Sequence, residues 1–103
     1  MENRALTMPI TSPSMLTIAA AYYRTEPSIT DPETLFDDLF GDLSKTELQS
    51  VFHAPQVFRS YIAARSRLDF STGNIRVLDG IYFSLTELKI CALAHPSQDV
   101  HRG

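Results

Sequence analysis

The chain has 103 residues, of which 44% are hydrophobic and 20% are charged, and its formal net charge at pH 7 is -3. This length suits one domain with a small core, and such domains are often stabilised by association with another subunit. The acidic balance excludes a strongly basic protein that coats nucleic acid. Cys91 is the single cysteine, which excludes an intramolecular disulfide and therefore a disulfide-stapled secreted domain.

The sequence shows no signal for a membrane or for export. No apolar run approaches the roughly 20 residues of a membrane span, and no basic region leads into an apolar run with a cleavage site. We therefore expect a cytoplasmic protein without a membrane contact. Residues 1-11 are interpreted as a flexible arm, residues 12-96 as a single helical domain, and residues 97-103 as a loose tail.

The first predicted helix is apolar on almost every side up to Arg24. Ser12 or Ser14 can cap it, and Pro13 lies in its opening turn. A helix of this kind is either the central core helix of one subunit or a helix shared between subunits. The residues proposed for a dimer or partner interface are Leu16, Ile18, Ala19, Tyr22 and Tyr23.

The second predicted helix begins at Asp31-Pro32-Glu33, where acidic side chains suit the helix dipole, and Gly41 ends it. Asp37 and Asp38 lie on this helix, and adjacent helical residues project about 100 degrees apart. They cannot converge on one substrate atom as paired catalytic carboxylates must. We interpret them as part of a solvated acidic face.

The third helix has the sharpest start signal in the chain. Ser44 and Glu47 form a capping box, so the helix is predicted to begin at Lys45. Pro55 lacks an amide hydrogen, so it should end that helix near His53 and occupy the first position of a fourth helix. Two short helices with a tight break resemble a helix-turn-helix in outline, and the alternative is an ordinary helical hairpin with solvated arginines.

The fourth helix carries most of the clustered positive charge. Its predicted buried face is formed by Val57, Phe58, Tyr61, Ile62 and Ala64. Its predicted water-facing residues are Gln56, Arg59, Ser60, Arg65 and Arg67. The residues predicted to contact DNA, chiefly by neutralising phosphates, are Arg59, Arg65, Arg67 and Arg76.

The pattern changes after residue 70. Ser71 to Asn74 are interpreted as a turn, and Asp79-Gly80 between two apolar runs predicts a two-residue β-hairpin, with a helix-to-helix corner as the alternative. Ser84 and Glu87 form a second capping box for a last helix. The predicted fold class is therefore mainly α, a small domain of about four to five helices, with a C-terminal β-hairpin as one of two interpretations of residues 74-84.

No motif of an enzyme or a cofactor site is present, so we predict no catalytic residue, no cofactor and no metal. Cys91 and His95 lie one helical turn apart, with His101 beyond, but a structural zinc site needs four ligands. A buried structural thiol is the simpler interpretation of Cys91. The nucleophilic alternative would require this thiol to be exposed and activated.

From Leu43 to about Phe70 the chain resembles the FlhD family, which contains a subunit of the flagellar master regulator and related activator subunits of mobile conjugative elements. The resemblance lies in Leu43-Ser44, Leu48, Val51, Gln56-Val57-Phe58 and the run from Arg65 to Phe70. It implies a mostly helical homodimer that joins an FlhC-like partner, binds promoter DNA and recruits RNA polymerase. The partner, rather than this chain, would then carry the structural zinc.

We accordingly expect a regulatory subunit of a heteromeric DNA-binding transcriptional activator. The alternative is a small phage- or plasmid-type inhibitor or adaptor, which would occupy a host protein through the acidic second helix. The first hypothesis requires DNA binding by the assembled complex, and the second requires none.

Overall fold

A computed structural model describes residues 13-26 and 31-95. These residues form a mainly helical domain with one antiparallel hairpin, as predicted. The elements are α1 (Pro13–Thr25), α2 (Pro32–Phe40), α3 (Lys45–His53), α4 (Pro55–Thr72), β1 (Ile75–Leu78), β2 (Ile81–Ser84) and α5 (Leu85–Ala94). The arm and tail expected at residues 1-11 and 97-103 lie outside the described residues.

The first two helices begin at prolines. Ser14 lies inside α1 and therefore does not cap it, whereas Ser12 lies outside the described residues. The Asp31 carboxylate caps α2 by accepting hydrogen bonds from the Glu33 amide at 3.2 Å and from the Thr34 hydroxyl at 2.7 Å. Both starts follow from local chemistry, since proline presets the backbone and an aspartate satisfies a free amide.

The capping box of α3 forms as predicted. The Ser44 hydroxyl accepts from the Glu47 amide at 3.1 Å, and the Glu47 carboxylate accepts from the Ser44 amide at 2.8 Å. Ala54 alone, in an extended conformation, separates α3 from α4. A helix-turn-helix has a turn of three or four residues, so this single-residue break favours the ordinary helical hairpin.

The fourth helix is longer than predicted. Ser71 and Thr72 are its last residues rather than part of a turn, and Gly73 ends it in the left-handed conformation with φ 82°. The hydroxyls of Ser71 and Thr72 both donate to the Leu68 carbonyl. Serine and threonine are tolerated within a helix when their hydroxyls donate to a carbonyl of the preceding turn. Gly73, rather than Ser71 or Thr72, therefore determines where α4 ends.

The hairpin prediction is confirmed, which excludes the helix-to-helix corner. Leu78 pairs with Ile81, leaving Asp79 and Gly80 as a two-residue turn with φ 52° and 80°. Positive φ at both central residues is the type I′ requirement that the Asp-Gly sequence meets.

Helix α5 is the centre of the packing. It contacts α1, α2, α4 and β2, and six of its ten residues are buried. Leu88 and Ala92 are completely buried. Because α5 is apolar on nearly every side, it can be covered by helices and strand at once.

An aromatic cluster fills the space between α2, α3 and α4. Phe40 lies at its centre, with ring centroids 5.0 Å from Phe36, 5.0 Å from Phe52, 6.0 Å from Phe58 and 5.6 Å from Tyr61. Such offset and edge contacts are the preferred geometries of aromatic rings. This cluster holds α4 against the helices before it and thereby fixes which side of α4 faces solvent.

The face that α4 buries is narrower than predicted. Phe58 is fully buried, and Tyr61 and Ile62 are half-buried, but Val57 is 40% exposed and Ala64 is also exposed. The prediction was wrong for Val57 and Ala64 because α3, α5 and β2 cover one side of α4 only.

Candidate functional site

The exposed surface of α4 is the strongest candidate site. Arg59 and Arg67 are exposed there and make no hydrogen bond or ion pair within the described part of the chain. Eight residues along a helix correspond to about 12 Å of rise and a net rotation of about 80 degrees. Both guanidinium groups therefore extend from the same half of the helix surface, and both are free to contact an external anion.

Arg65 has an internal role that the sequence did not reveal. Its Nη2 donates to the Asp38 carbonyl at 3.1 Å, and its guanidinium lies 5.8 Å from the centre of the Tyr61 ring. The Tyr61 hydroxyl in turn donates to the Leu39 carbonyl. The prediction that Arg65 faces water was wrong, because the end of α2 lies against this side of α4. Arg65 and Tyr61 together satisfy carbonyls at the end of α2.

Arg76 also makes internal contacts. Its Nε donates to the Glu26 carboxylate at 2.8 Å, and its Nη1 donates to the Ile75 carbonyl at 3.0 Å. This ion pair joins β1 to the end of α1 and remains partly exposed, with 45% of the arginine side chain open to solvent. Exposed pairs of this kind contribute little to stability, but they orient the side chain away from α4.

The predicted dimer seam on α1 divides into three groups, which differ in exposure. Ala19 and Tyr22 are each only 1% exposed inside the single protomer, which matches the core-helix alternative for these two residues. Ile18 and Tyr23 are half-buried and pack against the core, and the Tyr23 hydroxyl donates to the Ala92 carbonyl at 3.0 Å. Leu16, 55% exposed, is the one large apolar seam residue that remains open to a partner.

Large apolar side chains are exposed at a place that the sequence analysis did not select. In the described part of the chain, five of the seven exposed large apolar residues lie between the end of α4 and β2. These residues are Leu68, Phe70, Val77, Ile81 and Tyr82. The sequence did contain a signal for this exposure, because both hairpin strands are apolar. A small core can cover only one face of such a sheet, so apolar side chains on the other face remain exposed.

The acidic surface predicted on α2 is exposed. Asp31, Glu33, Asp37, Asp38 and Asp42 are all open to solvent. The Asp38 carboxylate accepts from Lys89 of α5 at 3.1 Å. This surface is therefore anchored to the core through Asp38, while Asp37 and Asp42 have no hydrogen bond or ion pair from a side chain within residues 13-26 and 31-95.

The thiol of Cys91 lies in the core and is 5% exposed. Burial, with a smaller contribution from Glu87, raises the pKa of the Cys91 thiol to about 11. A raised pKa and an inaccessible sulfur are the properties of a structural thiol rather than of a nucleophile. Among the described residues, no group of three or more histidines, cysteines and carboxylates could hold a metal ion.

An open depression lies on α3. Thr46, Gln49, Ser50, Phe52 and His53 line it. All of these residues come from one helix, so the depression lacks the enclosure that a small-molecule site needs.

Comparison with known proteins gave no match among protein-family models, curated proteins or solved structures. The resemblance to the FlhD family therefore remains a prediction from the sequence. Across the described helices, none is both long enough and apolar enough to cross a membrane.

Proposed function

We propose that this chain is a regulatory subunit of a heteromeric assembly that binds DNA and activates transcription. The observation that carries the proposal is the pair of exposed arginines, Arg59 and Arg67, on one half of the surface of α4, which make no ion pair with any described residue. Guanidinium groups placed in this way bind phosphate oxygens without reading the base sequence. Arg65 and Arg76 do not belong to this pair, because their guanidinium groups already make contacts within the chain.

Two arginines on a protein of net charge -3 supply only part of a DNA interface. Each neutralised phosphate lowers the slope of log affinity against log salt by about 0.9, so this chain would contribute a slope of about -2. A protein partner must then contribute most of the affinity. The exposed apolar residue Val57, on the same helix, gives such a partner a surface to contact.

The test is affinity purification of the tagged chain from its native host, with sequencing of the DNA and mass spectrometry of the proteins that are recovered. The double variant Arg59→Glu, Arg67→Glu should lose the recovered DNA and keep the protein partner. The matched control is Arg24→Glu, because Arg24 is also an exposed arginine and lies at the end of α1. Equal DNA recovery from the double variant and the wild type would refute the DNA role.

A second candidate function is an inhibitor or adaptor that occupies another protein through α2. It is favoured by the exposed carboxylates of Asp37 and Asp42, which make no side-chain hydrogen bond or ion pair within the described residues. In the same purification it predicts a protein partner without DNA, and loss of that partner in the variant Asp37→Asn, Asp42→Asn. Retention of the partner by this variant would refute it.

A further inference from the structure

We propose that the outer face of the hairpin is a contact surface for a second copy of this chain. The outer face is defined by Val77 and Tyr82, which pair directly across the two strands and point to the same side. They are 51% and 62% exposed. The proposal concerns self-association and does not depend on the proposed DNA contact.

Helix α4 covers only the base of this face. Ser84 lies on the same side of β2 as Tyr82, because alternate residues of a strand share a side. The Ser84 hydroxyl donates to the Ser66 hydroxyl of α4 at 3.0 Å, and Ser84 is completely buried. Phe70 follows Ser66 by one helical turn, so it lies on the same side of α4 and borders the open part of the face. Phe70 is 49% exposed.

The opposite face of the hairpin packs against the core except at its tip, where Ile81 is exposed. Leu78 is 6% exposed, and Phe83 packs against the core. Arg76 shares this inner side and is held by Glu26 at 2.8 Å. Arg76 is also the only charged side chain on either strand. The outer face is consequently uncharged, and two copies can bring these faces together without burying an unpaired charge.

The apolar area of the outer face suits a weak dimer. Ile81 does not add to it, because Ile81 pairs with Leu78 and lies on the opposite side of the hairpin. With roughly 200 Å² for a fully exposed aromatic side chain, Val77, Tyr82 and Phe70 offer about 300 Å² per copy at their exposures. Interfaces are about 57% apolar, so with its polar rim the contact would cover about 550 Å² per copy. Two copies would then bury about 1,100 Å², just below the range of about 1,200 to 2,000 Å² for stable interfaces.

A second copy is the occupant that this chemistry favours. The face offers no charge that would select an acidic or a basic partner, whereas another copy supplies an identical apolar face. A two-fold axis through the face would place Tyr82 of one copy against Val77 of the other, as an isologous interface requires.

The test measures the mass of the full chain by sedimentation over a range of concentrations. The wild type should form a dimer. Tyr82→Glu and Val77→Lys should each raise the dimer dissociation constant at least about 30-fold, as expected for residues at the centre of an interface. The controls are Leu16→Glu and Leu68→Glu, which place the charge of Tyr82→Glu at similarly exposed residues of α1 and of the other side of α4. Both controls should remain dimeric.

Hydrogen exchange provides a measurement that requires no variant. Amides of residues 75-84 in the wild type should become more protected as the concentration rises. A monomer at every concentration would overturn the proposal, as would a dimer that Leu16→Glu disrupts and Tyr82→Glu does not. Protection of the hairpin only in the presence of a different, co-purified protein would also overturn it and would assign the face to that protein.

Discussion

The two capping boxes of the chain make a quantitative prediction, because the same local motif lies in two different surroundings. Ser44 caps α3 at the surface, whereas Ser84 caps α5 and is completely buried. The local hydrogen bonds are alike. The amide of Glu47 donates to Ser44 at 3.1 Å, and that of Glu87 donates to Ser84 at 3.0 Å. A purely local view of capping therefore predicts equal effects of Ser→Ala at the two sites.

The structure predicts unequal effects. Replacing an N-cap serine by alanine costs about 1 kcal/mol, and we expect this value for Ser44→Ala. Ser84→Ala also removes the hydrogen bond to the half-buried Ser66 hydroxyl, which adds about 1 kcal/mol or more. The total for Ser84→Ala should be about 2 to 3 kcal/mol.

Equilibrium unfolding in urea measures both values. The dependence of the unfolding free energy on denaturant should be unchanged, so that the shift in midpoint reports stability alone. Asp69 provides an internal check, because its carboxylate accepts from the Thr86 amide at 2.8 Å in the same first turn of α5. Asp69→Ala should cost a similar amount. Equal costs for Ser44→Ala and Ser84→Ala would show that packing around the start of α5 adds nothing to the cap.

Two further predictions concern the turn and the thiol. Gly80→Ala should lower the unfolding free energy by about 1 kcal/mol, because φ is 80° there and alanine is strained at positive φ. Asp79→Asn is the control and should be nearly neutral, since asparagine tolerates that conformation. The thiol of Cys91, with its pKa raised to about 11, should react with an alkylating reagent at least ~100-fold more slowly in the folded than in the unfolded chain at neutral pH. The unfolded thiol loses its proton near pH ~8.5, so the free energy of unfolding should fall as pH rises from there through about 11. Rapid alkylation of the folded protein would contradict the structural role of Cys91.

Features that depend on neighbouring residues were predictable from the sequence. Both capping boxes and the proline starts are each determined within about four residues. The Asp-Gly turn is equally local, although the sequence alone also fits a helix-to-helix corner there. Their geometry needs no knowledge of what packs against them.

Features that depend on distant partners were not predictable in the same way. Arg65 was expected in solvent, yet it donates to a carbonyl 27 residues earlier in the chain. Tyr22 was a candidate for a dimer seam, yet it is buried within one protomer. In both cases the side chain is compatible with either location, and the choice is made by which helix covers it. The exposed surface of α4 could be predicted in part, because Arg59 and Arg67 follow directly from helical periodicity.

The position of α5 in the chain has a consequence for folding. The central helix follows every other described element, and its contacts with α1 join residues about 70 positions apart in sequence. The chain must lose the conformational entropy of closing a loop of that length before the contacts between α1 and α5 can compensate for the loss. During synthesis, the earlier helices would leave the ribosome without the segment that covers their apolar sides. The core can therefore assemble only after residues 85-94 have emerged, so the fold should form late and as one cooperative event rather than helix by helix.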